Sequence, residues 1–564
     1  MAKILFFKLE TILNFVAISL SFGLTLFYSN PLAYLEVKAD PATTEVTVSG
    51  NTPVFTAGPA ENPASDGTTP TNVGANVTFE ATASDADFDN YFLAICKTDS
   101  VTPGGPGAPT CGGGNWCIST STADDAQASC TYAAQSGDAE SQAWFAFVCD
   151  AVSGQQCSAS SQGTGASGSP FKVNHAPSFT AMTDGSDNPG GSITFTSTAS
   201  DSDTDTAADT VKLFVCGDSG ATSSGCTGTT LCSATLTASN PSCNYTLPSV
   251  IEDGNYTYYP YVFDSHNFGA TTNPLSSVDY TVNQVAPTTS NVVVNSSSAI
   301  SLTENTTTAV SVTGTVTDNN SCQDVSAAVT SLYRSAVTYA TCDTTGENNN
   351  NSCYADVSCS VSGGSCTSNT DGSADYTCTV NVQYHADPTD TSTQYDAQNW
   401  LATIEATDAG SNVHAAESAV GVEMNSLVAL NITSTINYGT ILAGQNSASP
   451  VQTTVTATGN VGLDTEVSST SSSTAMCTDY PTCAGSTIAI AQQEYSASTF
   501  SYGAGTDLTI TATNLELNVL KTTITGSPET KILYWAIGIP VAQTPGSYTG
   551  SNTVTAVKGE VGEW

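Results

Sequence analysis

Thr78-Phe79-Glu80-Ala81-Thr82-Ala83-Ser84-Asp85-Ala86-Asp87-Phe88-Asp89 returns further along the chain as Thr194-Phe195-Thr196-Ser197-Thr198-Ala199-Ser200-Asp201-Ser202-Asp203-Thr204-Asp205. In each copy apolar and polar residues alternate up to a run of spaced aspartates, as in a half-buried strand that ends in an acidic turn. Four cysteines follow each copy in matching order, so the duplicated unit carries its own cross-links and the chain is an array of small domains. A length of 564 residues requires several cores in any case.

Further alternating runs flank the second copy: Val211-Lys212-Leu213-Phe214-Val215-Cys216 and Tyr256-Thr257-Tyr258-Tyr259-Pro260-Tyr261-Val262-Phe263. Short runs of this kind, divided by Gly, Asn, Asp and Pro, predict an all-β chain of antiparallel β-sandwiches, and no stretch beyond the N-terminal residues has a helical period. Val173-Asn174-His175-Ala176-Pro177 and Val282-Asn283-Gln284-Val285-Ala286-Pro287 read as a last strand running into a proline-stiffened joint. The expected domains are 40–174, 175–284, 285–425 and 426–564, with residues 40–72 partly linker because they are rich in Pro, Thr and Ala.

Asp and Glu number 51 against 10 Lys plus Arg, for a formal net charge of -41. A chain this acidic has no basic patch with which to neutralise phosphates, which excludes nucleic acid and anionic membranes as partners. At the N-terminus Lys3 and Lys8 precede the apolar stretch Ile12 to Tyr28 and then Val37-Lys38-Ala39, which predicts a secretory signal peptide over residues 1–39. An uncleaved anchor is the alternative, and it would be the chain's only membrane contact. Phe6-Phe7-Lys8-Leu9-Glu10 is also similar to a type IV prepilin leader, but Leu5 stands where that family has Gly.

Eighteen cysteines in an exported chain point to disulfides, and six, four, six and two of them fall in the successive segments. Even counts let each domain close its own bridges. Cys149 and Cys157 are both present in the first repeat and both missing from the second, which pairs them. For the shared four, neighbour pairing is favoured among the three possible connectivities: Cys96 with Cys111, Cys117 with Cys130, Cys216 with Cys226, and Cys232 with Cys243. Cys477 and Cys483 are the last two.

The Thr-Ala-Ser-Asp-x-Asp-x-Asp blocks, the run Asp253 to Asp264 and the Asn-x-Ala-Pro joints resemble bacterial surface repeats of the immunoglobulin-like, cadherin-like and PKD type. The likeness is clearest over residues 76–287. It is weaker in the third segment, where Val316-Thr317-Asp318 stands in for the block, and the last segment is similar to the final domain of uncharacterised secreted surface proteins. The resemblance implies tandem immunoglobulin-like antiparallel β-sandwiches at the cell surface or secreted, and its motifs do not fix a ligand; the partners expected are other surface proteins, glycans or copies of the chain itself. A stalk or adhesion module is the first expectation, a subunit of a self-assembling filament or layer the second, and a polysaccharide-binding or polysaccharide-acting protein the third.

Asp85, Asp87, Asp89 and Asp150 in the first repeat, and Asp201, Asp203, Asp205 and Asp264 in the second, offer alternating hard oxygen ligands suited to Ca²⁺. The competing account is a solvated acidic turn. Cys216-Gly217-Asp218-Ser219-Gly220 looks like the nucleophile motif of chymotrypsin-type proteases, but its only upstream histidine, His175, lies in a joint, so no catalytic residue is assigned and the chain is expected not to be an enzyme. Trp116, Trp144, Trp400 and Trp535 are expected in cores, and His266, His385 and His414 on the surface.

Overall fold

The computed structural model describes residue 46 and residues 50–564, apart from 153, 155, 164–167, 205–208, 277, 345–348 and 471–473. The leader over 1–39 and Asp205 therefore lie outside the described residues. The chain is almost all β, an array of small, mostly antiparallel sheets packed into sandwiches. Four apolar cores follow one another along it. They centre on Phe79, Trp144 and Phe171, on Phe195, Tyr258 and Tyr280, on Val312, Trp400 and Ile404, and on Leu463, Tyr495 and Trp535.

The quoted block shows why strands form. In Asn76–Ser84, Val77, Phe79, Ala81 and Ala83 are buried while their neighbours are not, the period of two that puts alternate side chains on one sheet face. Ser192–Ser200 repeats the pattern with Ile193, Phe195, Ser197 and Ala199. Asn76–Ser84 lies between Val54–Glu61 and Gln127–Ala133, and the strands Phe145–Asp150, Tyr91–Cys96 and Asn115–Ile118 form a sheet of their own. Residues 54–61 are thus a strand of the first sandwich, not linker. Their apolar alternation is broken by Gly58 and Pro59, which hid it in the sequence.

Tyr91–Cys96 is buried along its whole length. Tyr91, Leu93 and Ile95 join the main core, whereas Ala94 and Cys96 join a second, smaller cluster with Cys111, Phe147 and Cys149. The bridges Cys96–Cys111 and Cys149–Cys157 hold the cover of that cluster in place. Such a cover suits a small domain whose single core is thin.

In the second sandwich the sheet Ser178–Thr183, Ser192–Ser200, Ser242–Thr246 is accompanied by a five-stranded sheet that includes Gly254–Asp264 and Val211–Cys216. The third unit is one seven-stranded sheet running from Thr288–Val294 to Val413–Glu417. It curls until its first strand packs against its last two, where the Thr289 N–H donates to His414 Nδ1 at 2.9 Å. The fourth pairs a five-stranded sheet with Thr513–Val519, Leu463–Ser469 and Asn552–Lys558. Among the described residues one short α-helix, Tyr339–Thr344, interrupts the β pattern, and no helix there is long and apolar enough to cross a membrane.

All four tryptophans expected in cores are buried. The histidine expectation fails at His385, which is 0% exposed. Its ring lies between Asn351 Oδ1 and Thr525 Oγ1, each 3.0 Å away. Residues 140 positions apart meet there, so local sequence gave no sign of it.

Candidate cation sites at the domain joints

Each acidic block begins where a strand leaves the sheet and must turn back to start the next. The first aspartate fastens that turn with one oxygen, accepting the N–H two residues on: Asp85 Oδ1 from Asp87 at 2.7 Å, Asp201 Oδ1 from Asp203 at 2.9 Å, and Asp318 Oδ1 from Asn320 at 2.8 Å. The second oxygen of each, Oδ2 of Asp85, Asp201 and Asp318, is buried and no donor reaches it. A buried acceptor left this way costs about 1–3 kcal/mol or more for a charged group, and three joints repeat it.

The residue two positions further on ties down the chain that enters the sandwich, so each of the four sandwiches has a joint at its entry, the first at residues 50–51 and the other three between successive sandwiches. Asp87 Oδ2 accepts the N–H of Asn51, Asp203 Oδ2 that of His175, Asn320 Oδ1 that of Val285 and Asn460 Oδ1 that of Leu427, each at 2.6 Å. In three of the four the residue before or two before the clamped one is an asparagine, Asn174, Asn283 or Asn425. The Asn320 amide also donates to the carbonyls of Asn283 at 3.0 Å and Ile251 at 3.3 Å. The Asn174 amide donates to Asp264 Oδ2 across the joint at 2.9 Å, and the Asn174 Oδ1 has no donor.

The late acid arrives by strand register. Asp150 pairs with Tyr91, Asp264 with Val211 and Asp408 with Val325, each opposite the first residue after the turn. These acids also fasten the loops that follow them, as when Asp264 Oδ1 accepts the N–H groups of His266 and Phe268, both at 2.8 Å.

Carboxylates therefore converge three times. Asp85, Asp87 and Asp89, then Asp201, Asp203 and Asp209, then Asp318, Asp324 and Asp408 each bring one oxygen apiece within 4.8 Å of the others. Burial, followed by the charges of Asp203, Asp264 and Asp209, pushes Asp201 up to about 6. Burial does the same to Asp318, again to about 6, with Asp324, Asp408 and Asp253 adding to it. Asp150 is raised by burial first and then by Asp85 beside it, and Asp264 by burial. At the second joint two histidines stand beside the aspartates, with His175 Nδ1 3.0 Å from Asp203 and His266 Nδ1 3.0 Å from Asp209.

Set against the sequence expectations, the structure brings Asp85, Asp87 and Asp89 together with Asp150 close by, and Asp201 and Asp203 together with Asp264 nearby. Asp209 completes the second cluster, outside the block that drew attention. Asp318, Asp324 and Asp408 were not anticipated as a set. The signal available was Asp318 in the place of the block and Asp408 at a strand end, as Asp150 and Asp264 are. The cysteines named from sequence pair as Cys96–Cys111, Cys117–Cys130, Cys149–Cys157, Cys216–Cys226, Cys232–Cys243 and Cys477–Cys483. The third unit adds Cys322–Cys366, Cys342–Cys353 and Cys359–Cys378.

The fourth joint keeps the clamp and loses the acids. Thr458 and Asn460 occupy the block, and Lys558 pairs with Leu463 in the register position of the late aspartates. Lys521 Nζ lies 2.9 Å from Asp387 Oδ1 and Arg334 Nε 3.2 Å from Asp387 Oδ2, with Lys521 and Asp387 buried and Arg334 partly so. This ion network joins the third unit to the fourth.

No protein-family model and no curated protein matches the sequence. Among solved structures the chain is similar to FdeC, an Escherichia coli adhesin, at 15% identity over 67% of this chain and 99% of that one, with a TM-score of 0.20. A 1.5-MDa bacterial ice-binding adhesin matches at 13% identity over 67% of this chain and 100% of that one, TM-score 0.20. The FN1–FN3 domains of chicken CNTN1 match at 8% identity over 67% and 99%, TM-score 0.17. Likeness at this level carries no argument about function.

Proposed function

We propose that this chain is a non-enzymatic extracellular protein, secreted or at the cell surface, that acts as a stalk or adhesion module whose first three joints are braced by Ca²⁺. The observation that carries the reading is the recurrence at successive joints of one arrangement: a buried carboxylate oxygen without a donor, a side chain clamping the preceding linker, and a late acid delivered by register. Repetition at joints, rather than inside one cleft, suits a scaffold that sets the angle between domains. Nine disulfides, none of which crosses a joint, support an oxidising compartment.

Ca²⁺ fits the donor set, since it takes six to eight hard oxygens in flexible geometry and would neutralise carboxylates that lack a counter-charge. Asp85, Asp201 and Asp318 would supply the free oxygens, with Asp89, Asp209 and Asp324 beside them. Partners are other surface proteins, glycans or further copies of the chain.

Thermal unfolding of the full chain tests the reading. Millimolar Ca²⁺ is expected to raise the melting temperature by several degrees over the EGTA-treated protein, and the combined change Asp85→Asn, Asp201→Asn and Asp318→Asn is expected to remove most of that rise. A curve indifferent to Ca²⁺ would sink the bracing role. Antibody staining seen only after permeabilising the cells would sink the location.

A further inference from the structure

We propose that Asp464, Glu560 and Glu563 form a separate Ca²⁺ site inside the fourth sandwich, made from residues that have no part in the repeated block. One carboxylate oxygen from each lies within 4.8 Å of the other two. Ca²⁺ suits such a set, because it takes six to eight hard oxygens at about 2.3–2.6 Å in flexible geometry.

Glu563 supplies the observation that separates this cluster from an ordinary acidic surface. It is 7% exposed, and neither of its carboxylate oxygens makes a well-formed hydrogen bond, although the Glu560 backbone lies close to them. The backbone is shaped to admit it: a methyl group on Gly559 would overlap the Glu563 carboxylate, and one on Gly462 would overlap the Glu563 side chain and backbone. The Lys521 N–H donates to the Glu563 carbonyl at 2.9 Å, fixing the turn that carries it.

Asp464, 3% exposed, is held by the Asn518 N–H at 2.8 Å on Oδ1. Glu560 is exposed and gives the site a solvent-facing ligand. Glu516 lies beside them, raised by the Asp464 charge and adding its own to Glu563. No ion pair among the described residues compensates any of the four. Burial, then Asp464, Glu560 and Glu516, pushes Glu563 up to about 7, as expected of a carboxylate group short of positive charge.

The arrangement can hold a divalent cation because it combines two buried anionic ligands with one exposed ligand. It shares no residue with the first three joints, and it stands or falls apart from the proposal made for them.

Equilibrium dialysis of the metal-stripped full chain against Ca²⁺, with Tb³⁺ luminescence as a second readout, tests the site. Trp564 is next to Glu563 and donates its indole N–H to the Gly559 carbonyl at 3.4 Å, placing a sensitiser beside the ion. Glu563→Gln is expected to lose one bound equivalent, or to weaken it at least tenfold, and Trp564→Phe to dim the Tb³⁺ emission while keeping that equivalent. Glu560→Gln, on the surface, is expected to weaken the same equivalent about tenfold with an unchanged melting curve, and it decides the matter if Glu563→Gln does not fold. Asp203→Asn should leave this equivalent intact. Unchanged stoichiometry and affinity in folded Glu560→Gln and Glu563→Gln would overturn the site and leave a cluster that only shares protons. Loss in both Glu563→Gln and Glu560→Gln, with Asp203→Asn without any effect on binding, would uphold it while counting against the joint sites.

Discussion

His385 is the residue on which acid should act first at the fourth joint. Burial and then the Lys521 charge hold its pKa down at about 4, below the ordinary 6.5, with Asp387 opposing. Facing it are Asn351 and Thr525, which bond the ring, the edge of Tyr384, and the Lys521–Asp387 pair. A histidine kept neutral in the fold binds fewer protons there than in the unfolded chain. Its contribution is therefore whole above pH 6.5 and is lost as pH falls toward 4. The loss is on the order of 3 kcal/mol. Urea midpoints at pH 7 and pH 4.5 should differ more for the native chain than for His385→Gln. Equal differences would mean that the ring is not charged on unfolding.

At the scale of turns and strands, the clamp should matter even where no cation is available. Asn460→Ala would strip the Leu427 N–H of its acceptor and the Asn425 carbonyl of a donor. A cost of about 1–3 kcal/mol follows if water cannot replace them. Limited proteolysis should then cut near residues 425–428 several times faster than in the native protein, with the sandwich cores still resistant. An unchanged cutting rate would show the clamp to be dispensable.

This is also the scale at which sequence and structure part company. Phe79, Phe195 and their alternating neighbours made two sandwiches legible, because strand periodicity is local. Asp209 and Asp324 were not legible, because the loops from block to next strand differ in length and the third ligand comes from wherever each loop returns. Asp408 reaches its place by pairing with Val325, and Lys558 by pairing with Leu463. Register between distant strands sets both positions, and spacing along the chain does not reveal it.

Across the whole molecule, two kinds of joint alternate with the domains. The first three gather aspartates, and the fourth carries Lys521, Lys558 and Arg334. Removing Ca²⁺ from the full chain should speed proteolysis at residues 283–287 and leave residues 425–428 as resistant as before. Equal sensitivity at both linkers would refute the division between cation-dependent and self-neutralised joints.

The disulfides bear on what happens when such a chain is pulled. Each bridge closes within one sandwich, so a unit that gives way can pay out only the residues outside its loops. Cys322–Cys366, with a sequence separation of 44, withholds about 150 Å of contour at about 3.4 Å per residue. The third unit can thus lose its packing under load while much of its length stays locked. How far the chain stretches before it fails is consequently a property of the redox state around it, as well as of the force applied.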